Sequence, residues 1–180
     1  MTAQIHPTAL AGVLEVVSEP FRDARGSFLN AFRLEEWRAI WGERAIAQVN
    51  LSRSDVVGTI RGLHLQQPPH GEAKLVRCLR GRVWDVAVDL RAGSASRGCW
   101  AAVELSPQRG NALFIPEGHA HGFQVLEAGS ELLYLHSGAY RPSAEGGVRW
   151  NDPELAIPWP LPNGIASVRD LNLPLLESHP

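Results

Sequence analysis

Residues 74–90 read KLVRCLRGRVWDVAVDL, and this stretch decides the fold. Two apolar runs, 74–80 and 83–90, flank the pair Gly81-Arg82, which predicts a tight turn between two extended segments. In the second run Trp84, Val86, Val88 and Leu90 alternate with Asp85 and Asp89, the period of two that a strand imposes on its side chains. Similar short runs recur on both sides, at 12–18, 45–52, 58–66, 99–106, 112–116, 121–127 and 131–137. Pro107-Gln108-Arg109-Gly110 marks a second turn. Some nine strands at short, regular spacing predict an antiparallel sandwich or barrel. The one convincing helix is 34–41, where Leu34, Trp37, Ile40 and Trp41 share a face. Residues 20–27 read as a loop, and the Pro-rich last thirty residues as an irregular wrap around the β structure.

The chain has 180 residues with 44% hydrophobic and 20% charged residues and a formal net charge of −2. One domain over 1–180 is expected, and such a chain buries roughly 70% of its unfolded surface. The balanced charge argues against a nucleic-acid or membrane-surface binder, which would carry a basic patch. The N-terminus lacks a basic segment followed by an apolar one, and no apolar run approaches the length of a membrane span, so a soluble, cytoplasmic protein is expected. Cys78 and Cys99 are too few for a disulfide scaffold and read as reduced, buried packing residues. The basic residues comprise sixteen arginines and a single lysine, Lys74. Chance survival explains a lone lysine, and so does a site that needs a compact ammonium on a flexible stem.

Polar residues aimed into a barrel are the informative ones. In IRGLHLQ, residues 60–66, strict alternation would set Arg61 and His64 on opposite faces. Gly62 lies between them, and a bulge there would bring both side chains to one face. His64 taken alone reads as a hydrogen-bonded structural histidine sooner than a functional one. His121 follows the turn 116–120. Tyr134 reads as core packing inside an apolar run, whereas Tyr140 lies outside that run beside an Arg-Pro turn. A metal centre is not expected. The histidine pair of metal-binding cupins is here His64-Leu65-Gln66, Glu72 falls late, Val125 stands where such cupins often have Asn, and two imidazoles do not complete a transition-metal shell.

Taken together, IRGLHLQ (60–66), KLVRCLR (74–80), GRVWDVAVDL (81–90), PEGHAHGF (116–123), RWNDP (149–153) and SVRDLNLPLL (167–176) resemble the dTDP-4-dehydrorhamnose 3,5-epimerase family. The motifs run in order from about residue 12 to residue 176. The resemblance implies a mainly β, cupin-type jelly roll, a homodimer with exchanged N-terminal strands, no cofactor, and a nucleotide-linked 4-keto-6-deoxyhexose as substrate. A variant that inverts only C3 or only C5, and a catalytically silent sugar-nucleotide-binding cupin, are the alternatives.

The resemblance also implies roles. His64 matches the family's base and Asp170 its partner; Lys74 matches the lysine at the C4 oxygen. His121 matches a histidine of the same pocket and Tyr140 the general acid. Arg25 and Arg61 match arginines that hold the diphosphate. Gln48 and Asn50 match polar positions that contact nucleotide or sugar. Some positions depart from the pattern. Asn30 replaces a Glu near the nucleotide, Leu65 an aromatic after the base, and His119 a Phe. Arg169 replaces the common lysine before the partner aspartate.

Overall fold

Two antiparallel sheets pack face to face as a jelly roll, in a computed structural model that describes residues 3–162 and 164–179. The first sheet has the order β1 (Gln4–Pro7), β2 (Leu14–Val17), β10 (Asn111–Ile115), β7 (Lys74–Arg80), β12 (Ser130–His136) and β5 (Gln48–Ser54). The second has the order β13 (Glu145–Gly147), β6 (Ile60–Gln66), β11 (His119–Val125), β8 (Val83–Asp89) and β9 (Trp100–Leu105). Three apolar layers follow from strand alternation. Val76, Cys78, Val83, Ala87, Leu113, Phe123, Val125 and Leu132 fill the space between the sheets.

The outer face of the first sheet, with Val16, Leu75, Phe114 and Leu135, is covered by α1 (Leu34–Trp41). This helix forms where its spacing predicts. Glu35 and Glu36 in the first turn suit the positive end of the helix dipole, and Gly42 at φ +66° ends it in a left-handed conformation that glycine adopts freely. Its buried Trp37 and Trp41 are 2% and 0% exposed, so truncating either to alanine would cost about 3–5 kcal/mol.

The strand 83–89 keeps the expected alternation and buries both of its faces. Val86 and Val88 point away from the sandwich and pack under the C-terminal segment with Leu155 and Ile157, while Asp85 shares the inward side with Val83 and Ala87. Both faces are buried because the wrap covers the outer one. That wrap is also less irregular than its proline content suggests, since it contains the one-turn helix α2 (Val168–Leu171).

Other expectations need correction. Residues 20–27, read as a loop, contain most of a hairpin of β3 (Phe21–Asp23) and β4 (Gly26–Phe28). All of its residues are exposed, so no alternation betrayed it. Cys78 is buried as expected, but Cys99 is exposed, since it precedes β9 at the molecular edge.

Candidate active site

Strand register sorts the interior into an apolar end and a polar end. Along β7 the inward residues are Lys74, Val76 and Cys78, and their partners on β12 are His136, Tyr134 and Leu132. Along β11 the corresponding series is His121, Phe123, Val125. Cys78, Leu132 and Val125 join the core. Lys74, His136, Tyr134 and His121 line a cavity of about 840 Å³ at the other end, together with residues of β5, β6 and α2.

β6 reaches this cavity through the expected bulge. Arg61 stands opposite Phe123 and His64 opposite His121, so three steps along β6 match two along β11. Gly62 makes this possible. It sits at φ +121°, and a Cβ there would lie 2.5 Å from Gly122 Cα and 2.6 Å from the His121 carbonyl oxygen. Arg61 and His64 consequently both line the cavity.

His64 Nε2 lies 2.7 Å from Asp170 Oδ1. α2 aims the carboxylate: Ser167 Oγ caps the turn by accepting from the Asp170 N–H at 3.1 Å, as N-cap serines do. The Gly62 N–H donates to Asp170 Oδ2 at 3.3 Å. Burial pushes the Asp170 carboxyl up, but the His64 hydrogen bond and charge outweigh it and hold the group below the usual carboxylate range. With Nε2 engaged, Nδ1 is the nitrogen free to take a proton.

A second pair lies beside it. His121 Nε2 is 2.8 Å from Asp85 Oδ1, with Asp85 wholly buried. Burial raises the Asp85 carboxyl, opposed by His121 and then Lys74. Lys74 donates from Nζ to the His64 carbonyl oxygen at 3.2 Å. Burial pushes its ammonium down, with Glu72, Glu145 and Asp85 acting against that.

Tyr140 is held by neighbours on three elements. Its N–H donates to Gln48 Oε1 at 3.1 Å and its hydroxyl to Glu145 Oε2 at 2.8 Å. Glu145 also pairs with Arg169 at 2.5 Å. Burial raises the Glu145 carboxyl, but Arg169 and Tyr140 bring it below its ordinary value. The bond to Glu145 raises the Tyr140 phenol. Gln66 clamps the same loop, donating to the Ala139 carbonyl oxygen at 3.2 Å and accepting from the Arg141 N–H at 2.6 Å. Arg61 donates to Ser54 Oγ and the Arg53 carbonyl oxygen, and Gln48 donates to Asn50 Oδ1.

Thus His64, Lys74, His121, Tyr140, Asp170, Arg61, Gln48, Asn50 and Arg169 converge on one cavity. Arg25 and Asn30 do not. Arg25 occupies the tip of the β3–β4 hairpin, its side chain 87% exposed and bonded to Asp23. Asn30 lines a separate small cavity with Glu19, Arg33 and Glu36. The hairpin pairs with neither main sheet, and neither Arg25 nor Asn30 lines the cavity of its own chain. Sequence reasoning missed Asp85, Glu145, His136 and the clamp formed by Gln66. Tyr134 packs against the core as expected, and its hydroxyl also meets Ser52 Oγ at 3.0 Å at the cavity wall. Strand register was the signal that could have found Tyr134 and His136, because both share the inward parity of Lys74. Among the described residues, no group of three or more His, Cys, Asp or Glu side chains is arranged to hold a metal ion.

The family model for dTDP-4-dehydrorhamnose 3,5-epimerase matches residues 7–178. The chain belongs to this family. A dTDP-4-dehydrorhamnose 3-epimerase of Streptomyces niveus is 42% identical over 174 residues, covering 96% of this chain and 84% of the relative. The dTDP-4-dehydrorhamnose 3,5-epimerase of Escherichia coli is 40% identical over 172 residues, covering 94% and 92%. The crystal structure of the dTDP-6-deoxy-D-glucose-3,5-epimerase of Legionella pneumophila in complex with dTDP-4-keto-L-rhamnose superposes with a TM-score of 0.93 at 35% identity, covering 98% of this chain and 94% of that one. Membership of the 3,5-epimerase family accounts for a cavity that joins a histidine–aspartate pair, a buried ammonium and a phenol. No helix among the described residues is long and apolar enough to cross a membrane.

Proposed function

We propose that the protein inverts C3 and C5 of a dTDP-4-keto-6-deoxyhexose, converting dTDP-4-dehydro-6-deoxy-D-glucose to dTDP-4-dehydro-L-rhamnose. The observation that carries this reading is the His64–Asp170 pair sharing one cavity with Lys74 and Tyr140. The C4 ketone acidifies the hydrogens at C3 and C5. His64 removes one as general base, and Asp170 stabilises the imidazolium that forms. The Lys74 ammonium stabilises the oxyanion developing on the C4 oxygen, an interaction strengthened by the low-dielectric interior. Tyr140 returns a proton to the opposite ring face, which inverts the centre. Arg61 holds the diphosphate through a rigid fork of donors, and His121, Gln48, Asn50 and Arg169 line the sugar and nucleotide path.

Inversion at C3 alone is the second reading, favoured by the 42% identity to the Streptomyces niveus 3-epimerase. The two separate on incubating the enzyme with substrate in D₂O and reading deuterium at each carbon by NMR. Label at C3 and C5 is expected. Label at C3 alone establishes the single inversion, and label at neither overturns the enzymatic reading.

We further propose that the protein works as a cytoplasmic homodimer with exchanged N-terminal strands, the β3–β4 hairpin among them, which bring Arg25 and Asn30 to the partner's nucleotide. Phe21 and Phe28 on the hairpin are 51% and 68% exposed, and Val49 and Leu51 on the edge strand β5 are 57% and 71% exposed. Apolar surface left bare on a projecting arm and on a strand beside the cavity supports an interface. The free thiols of Cys78 and Cys99 suit a reducing compartment. Sedimentation giving a single-chain mass at micromolar concentration would refute the dimer.

A further inference from the structure

Glu72 is a carboxylate that the reaction as described does not use, yet it is buried at the floor of the cavity. Its side chain is 8% exposed and stands between two basic groups, with Oε1 at 3.6 Å from Lys74 Nζ and Oε2 at 3.2 Å from His136 Nδ1. On the far side of that imidazole, Nε2 lies 3.4 Å from Asn50 Nδ2. Asn50, His136, Glu72 and Lys74 therefore form a continuous chain from the cavity wall to the ammonium. A carboxylate so deeply placed costs free energy unless its charge is matched, and Lys74 is the cation that faces it, with the His136 imidazole against its other oxygen.

The benefit falls on Lys74. A buried ammonium loses its proton more readily than one in water, and a neutral amine would be a poor stabiliser of an enolate. The charged or titratable side chains around Lys74 come from several elements: Glu72 before β7, Asp85 on β8, Glu145 on β13, His64 on β6, His121 on β11 and His136 on β12. Glu72 is the acidic group in direct ion-pair range. At 3.6 Å it attracts the ammonium without closing tightly upon it, and the His64 carbonyl oxygen takes one proton at 3.2 Å. With three donors on the ammonium, at least one remains for the C4 oxygen.

We propose that Glu72, backed by His136 on its other oxygen, is a positioning residue that keeps Lys74 protonated and aimed at the reacting carbonyl. The role of Lys74 itself rests on the epimerase reading above. The test exploits the composition: with one lysine in the chain, protein carrying ¹³C-labelled lysine gives one side-chain lysine signal by NMR. That signal is titrated against pH in wild type, Glu72→Gln and Glu72→Asp, without substrate. The Lys74 midpoint should fall by about one pH unit or more in Glu72→Gln and by less in Glu72→Asp, which restores a shorter carboxylate. The basic limb of kcat should move down with it, while KM changes little. A midpoint equal to wild type in both variants overturns the proposal, and if Glu72→Gln does not fold, Glu72→Asp alone decides on the same criterion. Substrate-free titration separates this proposal from the epimerase reading. A moved midpoint in a protein that never exchanges C3 or C5 hydrogens refutes the reaction but not the pairing, and active exchange with an unmoved midpoint refutes only the pairing.

Discussion

His64 and Asp170 are 106 residues apart in sequence and 2.7 Å apart in the fold. Asp170 is supplied by a one-turn helix of the C-terminal wrap that docks beside the β6 bulge, so the proposed base and the carboxylate it meets come from two different parts of the chain. Replacing Asp170 with Asn removes the negative charge that stabilises the imidazolium. Deuterium exchange should slow by about 10²–10⁴-fold, and His64→Ala should abolish it. With circular dichroism unchanged, wild-type exchange in His64→Ala would remove His64 from the role of base, and wild-type exchange in Asp170→Asn would remove Asp170 from the role of its partner.

Tyr140→Phe keeps the ring and loses the donor. Proton removal by His64 should continue and label should wash in at C3 or C5, whereas inverted product should fall sharply. NMR of the product mixture reads both at once. Unimpaired product formation would show that another group reprotonates the enolate.

Gly62 faces Gly122 so closely that a methyl has no room, and its φ of +121° is strained for any L side chain. Gly62→Ala should cost about 2 kcal/mol or more, which for a chain of this size lowers Tm by about 4–8 °C. It should also displace His64 and Arg61, so exchange falls even where the variant remains folded. A thermal melt and an exchange assay check the two effects separately.

The pH profile should fall on its basic side because of Lys74 and not Tyr140. Burial brings Lys74 below the ordinary lysine range, whereas the bond to Glu145 takes Tyr140 above the ordinary phenol value. Loss of the Lys74 ammonium is thus the expected cause of the fall. The same basic limb should therefore persist for deuterium wash-in by Tyr140→Phe. Disappearance of the limb in that variant would assign it to the phenol.

Asp89 makes a separate prediction about stability. It is wholly buried and accepts hydrogen bonds from Arg91, Ser94 and Ser96 at 2.6–2.9 Å. Burial raises its carboxyl, yet these bonds outweigh burial and hold it well below the usual range. The ionised form is favoured by folding, so its contribution is complete above the unfolded value near 3.9 and is lost as pH falls through the lowered folded value. Asp89→Asn should cost about 2–4 kcal/mol at pH 7. Denaturant melts should show the gap to wild type narrowing below about pH 4.

Much of the sandwich was legible because its strands announce themselves locally. The helix 34–41 and the strand 74–80 coincide with the sequence reading, since each rests on a periodicity complete within one element. The bulge at Gly62 was legible too, because only a glycine explains Arg61 and His64 on one face. The β3–β4 hairpin was not, as its exposed residues carry no pattern, and neither was the covering of β8 on both faces by a distant wrap.

By itself, the sequence determined the strand periodicity, the lone lysine and the family, all of which are properties of short segments or of their order. Only the tertiary structure decided that Asp170 closes on His64, that Asp85 rather than solvent meets His121, that Glu145 ties Tyr140 to Arg169, and that Glu72 lies between Lys74 and His136. Those contacts depend on which strands become neighbours and in what register, and β pairing joins residues whose separation along the chain carries no local signal.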